Sequence, residues 1–186
     1  MSTVCNNTTD NRFVKLARMG ESVFHIDDLA NIWQIHNKNT LHTTLKRYTQ
    51  KGWLFRIYRG FYSLQKPEDI DPIFLGIKAL NQFSYLSTES VLVQKGIITQ
   101  VSNQITLVSA VSKNFDIKDN NYKVRQLDDK FLFNKAGLLL KGNYYQATTE
   151  RAVADLLYFN PRYYFDGRNL VNWKKVKEIQ KEIGYK

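Results

Sequence analysis

Between residues 10 and 66 the apolar positions fall into three helical stripes and then into a strict alternation. Phe13, Leu16 and Ala17 recur at helical spacing over 10–19, and Gly20 is placed to end that helix. Residues 22–25, Ser-Val-Phe-His, read as a short apolar link. A second helix runs through Leu29, Ala30, Ile32 and Trp33, opened by Asp27 or Asp28 with acid at the positive end of its dipole. IHNKN makes a polar turn, and Asn39 or a neighbour caps a third helix reaching Gln50. There Leu41, Thr44, Leu45 and Tyr48 share one face, while Asn39, Thr43, Lys46, Arg47 and Gln50 occupy the other. Gly52 stops it. KGWLFRIYRGFYSL at 51–64 then reads as a β-hairpin, with Phe55 and Ile57 on one face, Arg56 and Tyr58 on the other, and Gly60 at the turn. Trp53, Phe55, Ile57, Phe61 and Leu64 supply its buried side.

Three short helices followed by a basic hairpin is the order of a winged helix-turn-helix. The third helix sinks its leucines into the first two and offers Lys38, Asn39, Thr40, Thr43, Lys46 and Arg47 to the major groove of double-stranded DNA. The hairpin carries Arg56, Tyr58 and Arg59 toward phosphates or a narrow minor groove. A basic amphipathic helix alone is usually a solvated face, and Arg beside Tyr is often surface stacking. Their succession makes DNA the expected partner.

Pro67 with Glu68, Asp69 and Asp71 marks a break in pattern, so the expected domains are 1–66 and 67–186. Asp71-Pro72 opens a helix, proline suiting its first turn. A further helix runs through Val91, Leu92 and Val93, capped within 87–90 and closed by Gly96. Strands are expected at 104–111 and 122–127, and two more over 138–148 on a Gly-Asn turn. TERAVADLLYF at 149–159 is a helix, and a final basic amphipathic helix spans 170–183. The fold class expected is α+β, a winged helix-turn-helix followed by a mixed α/β domain.

Composition narrows the function. The 186 residues are 43% hydrophobic and 24% charged, a globular balance. No apolar run approaches the roughly 20 residues of a membrane span, and the polar N-terminus does not read as a secretory signal. Cys5 is the only cysteine, so no intrachain disulfide forms, which suits a cytoplasmic location. The net charge is +10, and residues 1–66 carry ten Lys/Arg against four Asp/Glu, compared with seventeen against thirteen in 67–186. The excess gathers on the segment expected to meet a polyanion.

Four blocks in order carry a family resemblance: TLHTTLKRYTQKGWLFRIYRGFYSL at 40–64, YLSTESVLVQKGII at 85–98, ITLVSA at 105–110 and ATTERAVADLLYF at 147–159. Together they resemble the AbiEi-type antitoxins of bacterial abortive-infection systems and related winged-helix regulators. Val91 stands where that family more often has alanine, and Lys95 where histidine precedes the glycine. The resemblance implies a DNA-binding part that represses its own operon's promoter. It also implies a second part that counteracts a co-expressed nucleotidyltransferase-like toxin without forming a stable complex. A stand-alone regulator without a toxin is the alternative in the same class, and assembly as a homodimer on DNA is left open.

Glu150, Arg151 and Asp155 are expected to form a structural ion network tying their helix to the sheet, with Arg151 and Asp155 as i, i+4 partners. Catalysis is not expected. A metal nuclease uses converging carboxylates and often Glu-x-Lys, which occurs nowhere in the chain. A nucleic-acid-processing enzyme is therefore the weaker rival. His25, His36 and His42 lack the i, i+4 spacing that puts two imidazoles on one metal; His36 and His42 flank the DNA-facing helix, where a phosphate or base contact is the one functional role open to them. No metal or cofactor is expected.

Overall fold

The computed structural model describes residues 7–100 and 103–185, with side chains from Arg12 onward; Cys5 lies outside the described residues. The chain divides into two compact units, Met1–Asp71 and Pro72–Lys186. Together they make a mixed α+β protein with two sheets.

The first unit contains α1 (Asn7–Arg18), β1 (Val23–His25), α2 (Ile26–Trp33), α3 (Lys38–Gln50), β2 (Phe55–Tyr58) and β3 (Phe61–Ser63). The expected apolar link is a strand. Residues 23–25 pair antiparallel with β3, giving a three-stranded sheet of order β1-β3-β2. Three residues are too few to show a period, so the pairing partner decides their state. The start of α2 also differs from expectation. His25 is its N-cap, and Asp28 accepts from the His25 N–H at 2.9 Å, the return half of a capping box. Asn37, not Asn39, caps α3, its Oδ1 accepting from the N–H groups of Asn39 at 2.9 Å and Thr40 at 3.1 Å. Leu16, Leu29, Trp33, Leu41, Leu45 and Tyr48 form one buried core, and Trp33 meets Tyr48 edge-on at 5.3 Å.

The second unit holds α4 (Pro72–Leu80), β4 (Ser84–Leu86), α5 (Glu89–Gln94), β5 (Gln104–Ser109), β6 (Lys113–Ile117), β7 (Asn120–Gln126), α6 (Asp129–Leu132), β8 (Leu138–Lys141), β9 (Tyr144–Ala147), α7 (Thr149–Phe159) and α8 (Trp173–Ile183). The six-stranded sheet has the order β6-β7-β5-β4-β9-β8. It is mixed: β4–β9 and β5–β7 are parallel, and the remaining pairs are antiparallel. Strand alternation puts Tyr122 on one face and Tyr85 with Arg125 on the other. On the first face α4 lies so close that a Cβ at Gly76 would stand 2.2 Å from the Tyr122 ring, whose hydroxyl donates to the Pro72 carbonyl at 2.7 Å. Only glycine fits there. Asp128 is the N-cap of α6, which begins at Asp129. The last helix starts at Trp173 behind its cap Asn172, so Leu170 falls outside the expected stripe and is exposed, while Val176, Ile179 and Ile183 are buried.

Candidate nucleic-acid interface

In the first unit α3 buries Leu41, Thr44, Leu45 and Tyr48, which leaves the predicted polar residues Lys38, Asn39, Thr40, Thr43, Lys46 and Arg47 exposed. Facing it is the β2–β3 hairpin. Burial along β2 alternates as the sequence requires, with Phe55 and Ile57 half-buried and Arg56 and Tyr58 exposed. The register slips between Arg56 and Tyr58, a bulge that leaves Ile57 unpaired and sharpens the local twist. The hairpin is tied down at both ends. The Ile26 N–H donates to the Gly60 carbonyl at 2.8 Å and the Leu64 N–H to the Ser22 carbonyl at 2.9 Å. Gly60 sits at φ 84°, where a side chain is strained.

Between helix and hairpin lies a groove of about 820 Å3. Its charged lining is Lys38, Lys46, Arg56 and Arg59, with His42 and one carboxylate, Asp27; Ile26, Leu41, Leu45 and Tyr62 contribute apolar surface. Four cations against one acid, all exposed, make the groove electropositive. The Arg56 Nε donates only a long bond to the Tyr58 carbonyl, 3.4 Å. No ion pair forms at Arg56 or Arg59 among the described residues. Tyr58 packs its ring 5.1 Å from Phe61, and burial pushes its phenol above the ordinary value, keeping the hydroxyl protonated as a donor.

Of the nine residues singled out from sequence, Lys38, Lys46, Arg56 and Arg59 meet in this groove. Asn39, Thr40, Thr43, Arg47 and Tyr58 are exposed but do not line it. Arg47 instead lies over the ring of Tyr48 at 5.8 Å. His42, for which the sequence leaves a phosphate or base contact as the one functional role, stands in the groove. The signal was its i+4 position after Lys38 and before Lys46, one stripe along α3.

The ion network predicted for the second unit is real and differently composed. Arg151 and Asp155 are fully buried and joined at 2.8 Å, Nε to Oδ1. Asp155 also accepts from Ser87 at 2.7 Å, Tyr85 at 3.1 Å and Tyr185 at 2.6 Å. Arg151 gives its remaining donors to the Asn134 and Ala136 carbonyls and to the Tyr85 hydroxyl. Glu150 is not among its members in the described residues. It is one position off the buried face of α7, whose cap is Thr148, and the Thr148 N–H is taken by the Gly137 carbonyl. Burial, then the nearby Asp155, pushes the Tyr85 and Tyr185 phenols up, so both remain protonated donors. Burial opposes the charge on Arg151, but the Asp155 carboxylate outweighs it and the guanidinium stays charged. With every ionic atom occupied, this cluster ties β4, α7 and Tyr185 together and has no spare valence for chemistry.

Among the described residues no group of three or more His, Cys, Asp or Glu is arranged to hold a metal ion, and no helix is long and apolar enough to cross a membrane. No family model matches the chain, and no curated protein matches it significantly in sequence. In fold it is similar to the crystal structure of the RV2827C protein from Mycobacterium tuberculosis, with a TM-score of 0.56 at 11% identity, over 95% of this chain and 72% of that one.

Proposed function

We propose that Met1–Asp71 is a winged helix-turn-helix that binds double-stranded DNA, and that the protein is a transcriptional regulator of its own promoter. The observation that carries this reading is the electropositive groove between α3 and the β2–β3 hairpin. Its four Lys/Arg form no ion pair among the described residues, Asp27 is the one carboxylate in its lining, and its two walls are a helix of groove-reading length and a pinned hairpin. Cations placed on two rigid elements fit phosphate contacts, while Asn39, Thr43 and Arg47 stand on the exposed side of α3, where base edges are read. Binding of operator and random duplexes across a salt series tests it. Retained operator binding by the chain lacking residues 1–71, at the same salt, would sink it.

For Pro72–Lys186 we infer the antitoxin role of the AbiEi type, acting in the cytoplasm against a co-expressed nucleotidyltransferase-like toxin without a stable complex. Its support is the resemblance of residues 85–98 and 147–159. In this structure those segments supply Tyr85, Ser87, Arg151 and Asp155 to the buried cluster. Co-expression of the full chain with the toxin encoded beside it is the test. Growth arrest that persists with soluble protein present would leave a regulator alone.

A further inference from the structure

A second cavity, of about 420 Å3, lies over the β6–β7 hairpin beside Phe159, the last residue of α7. Its polar lining consists of Ser112, Asn114, Lys123, Arg125 and Gln126. Each of these side chains can donate a hydrogen bond, two are cations, and no carboxylate lines the cavity. The donors are not scattered. Lys123 and Arg125 lie two apart on β7 and so share a sheet face, and Asn114 is the cross-strand partner of Lys123.

Arg125 is held on two sides. One terminal nitrogen donates to Glu89, and the guanidinium lies over the Phe159 ring, 5.3 Å from its centroid. Its Nε is buried and has no acceptor among the described residues. The second carboxylate oxygen of Glu89 is likewise buried without a donor, so both orphans belong to this one ion pair, and it is the donor-rich lining that asks for an anion instead. Lys123 makes no ion pair among the described residues either. Because Glu89 offsets one of the two cations, the cavity retains a single net positive charge and a surplus of donors. That is a site for an anion. The volume lies in the range of small-ligand sites and exceeds what a bare oxyanion fills, and Phe159 offers an aromatic wall to whatever the anion is attached to.

We propose that this cavity binds a phosphate monoester, with the phosphoryl oxygens on Lys123, Arg125 and Asn114 and the organic part toward Phe159. The inference stands apart from DNA recognition by the first unit, since none of these residues belongs to it.

The test is titration of the full chain, carrying Arg56→Ala and Arg59→Ala to silence the other cationic groove, followed by amide NMR. The probes are inorganic phosphate, adenosine monophosphate, adenosine and a short single-stranded oligonucleotide. Saturable shifts within residues 112–126 are expected with phosphate, roughly tenfold tighter binding with the monophosphate, and none with the nucleoside. Lys123→Ala should weaken both anions about tenfold, and Lys123→Arg should restore them. Glu89→Gln, which removes the competing carboxylate, should tighten binding, and Phe159→Leu should abolish the advantage of the monophosphate over phosphate. Shifts that never saturate, or that Lys123→Ala leaves unchanged, overturn the site. An oligonucleotide binding the same residues more tightly than the monophosphate overturns the small-molecule assignment in favour of a nucleic-acid backbone.

Discussion

Arg56 and Arg151 are the same side chain beside the same kind of neighbour, a tyrosine, and the protein uses them in opposite ways. Arg151 lies at the centre of the second unit, fully buried, with Asp155, two carbonyls and a tyrosine hydroxyl taking its donors. Arg56 lies on an exposed strand and makes only a 3.4 Å bond to a nearby carbonyl. An arginine whose every nitrogen is engaged inside the fold stabilises that fold, because removing its counter-ion strands a charge in a dry interior. An arginine with free donors in water contributes little to stability, so its place in a groove is better explained by a ligand. Saturation, more than residue type or neighbourhood, separates a structural cation from a binding one.

The largest effect expected is on folding. Arg151→Met leaves Asp155 buried without its counter-ion and should cost about 3–5 kcal/mol in chemical denaturation at neutral pH. Arg56→Ala with Arg59→Ala should shift stability by less than about 0.5 kcal/mol. Similar losses from the two variants would erase the distinction drawn above. In binding the order reverses. The double hairpin variant should weaken operator and random DNA alike and lower the salt slope by roughly one unit per charge removed. An unchanged slope in a folded variant would mean that the hairpin only packs.

Specificity should sit on the helix. Thr43→Ala or Arg47→Ala is expected to cost about 1–3 kcal/mol on the operator and little on random sequence, narrowing the gap between them. Competition titrations of the two duplexes at one salt concentration measure this directly. Within the buried cluster a milder cut sharpens the contrast: Tyr185→Phe removes one donor from Asp155 but leaves the ion pair, for a loss of about 1–2 kcal/mol.

The smallest effect concerns Glu89. Burial works against its charge, but the bond from Arg125 and that guanidinium's charge outweigh it and hold the carboxyl below its ordinary value. A folded value below the unfolded one adds stability that is present at neutral pH and is lost as pH falls through the ordinary carboxylate range toward the folded value. Glu89→Gln should therefore lower stability at neutral and alkaline pH and flatten the acid limb, with variant and wild type converging at low pH where the carboxylate is protonated. An identical acid limb in wild type and variant would show that the Arg125 pair contributes nothing to folding.

Much of the first unit was legible because its signals are local. Leu41, Thr44, Leu45 and Tyr48 repeat at the helical period and are buried, and Phe55 to Tyr58 alternate and are buried alternately. Short strands were not legible. Val23–His25 and Ser84–Leu86 are three residues each, and Lys113–Ile117 is a polar edge strand with one buried position, so none shows a period long enough to read. The i, i+4 spacing of Arg151 and Asp155 announced an ion pair. It could not announce Tyr85, Ser87 or Tyr185, which arrive from 66, 68 and 30 residues away.

The sequence by itself determined what depends on neighbours along the chain: the helices and their stripes, the turning glycines, the surplus of charge before residue 67, and the candidacy of its basic residues for an anionic partner. The tertiary structure decided which of those residues converge. It gathered Lys38, His42, Lys46, Arg56 and Arg59 onto one groove and left Asn39, Thr43 and Arg47 outside it. It also buried Arg151 and set Lys123 and Arg125 around a cavity. The reason is physical: periodicity is a property of a single element, whereas burial, saturation of donors and convergence of charge belong to pairs of elements that only strand pairing and helix packing bring together.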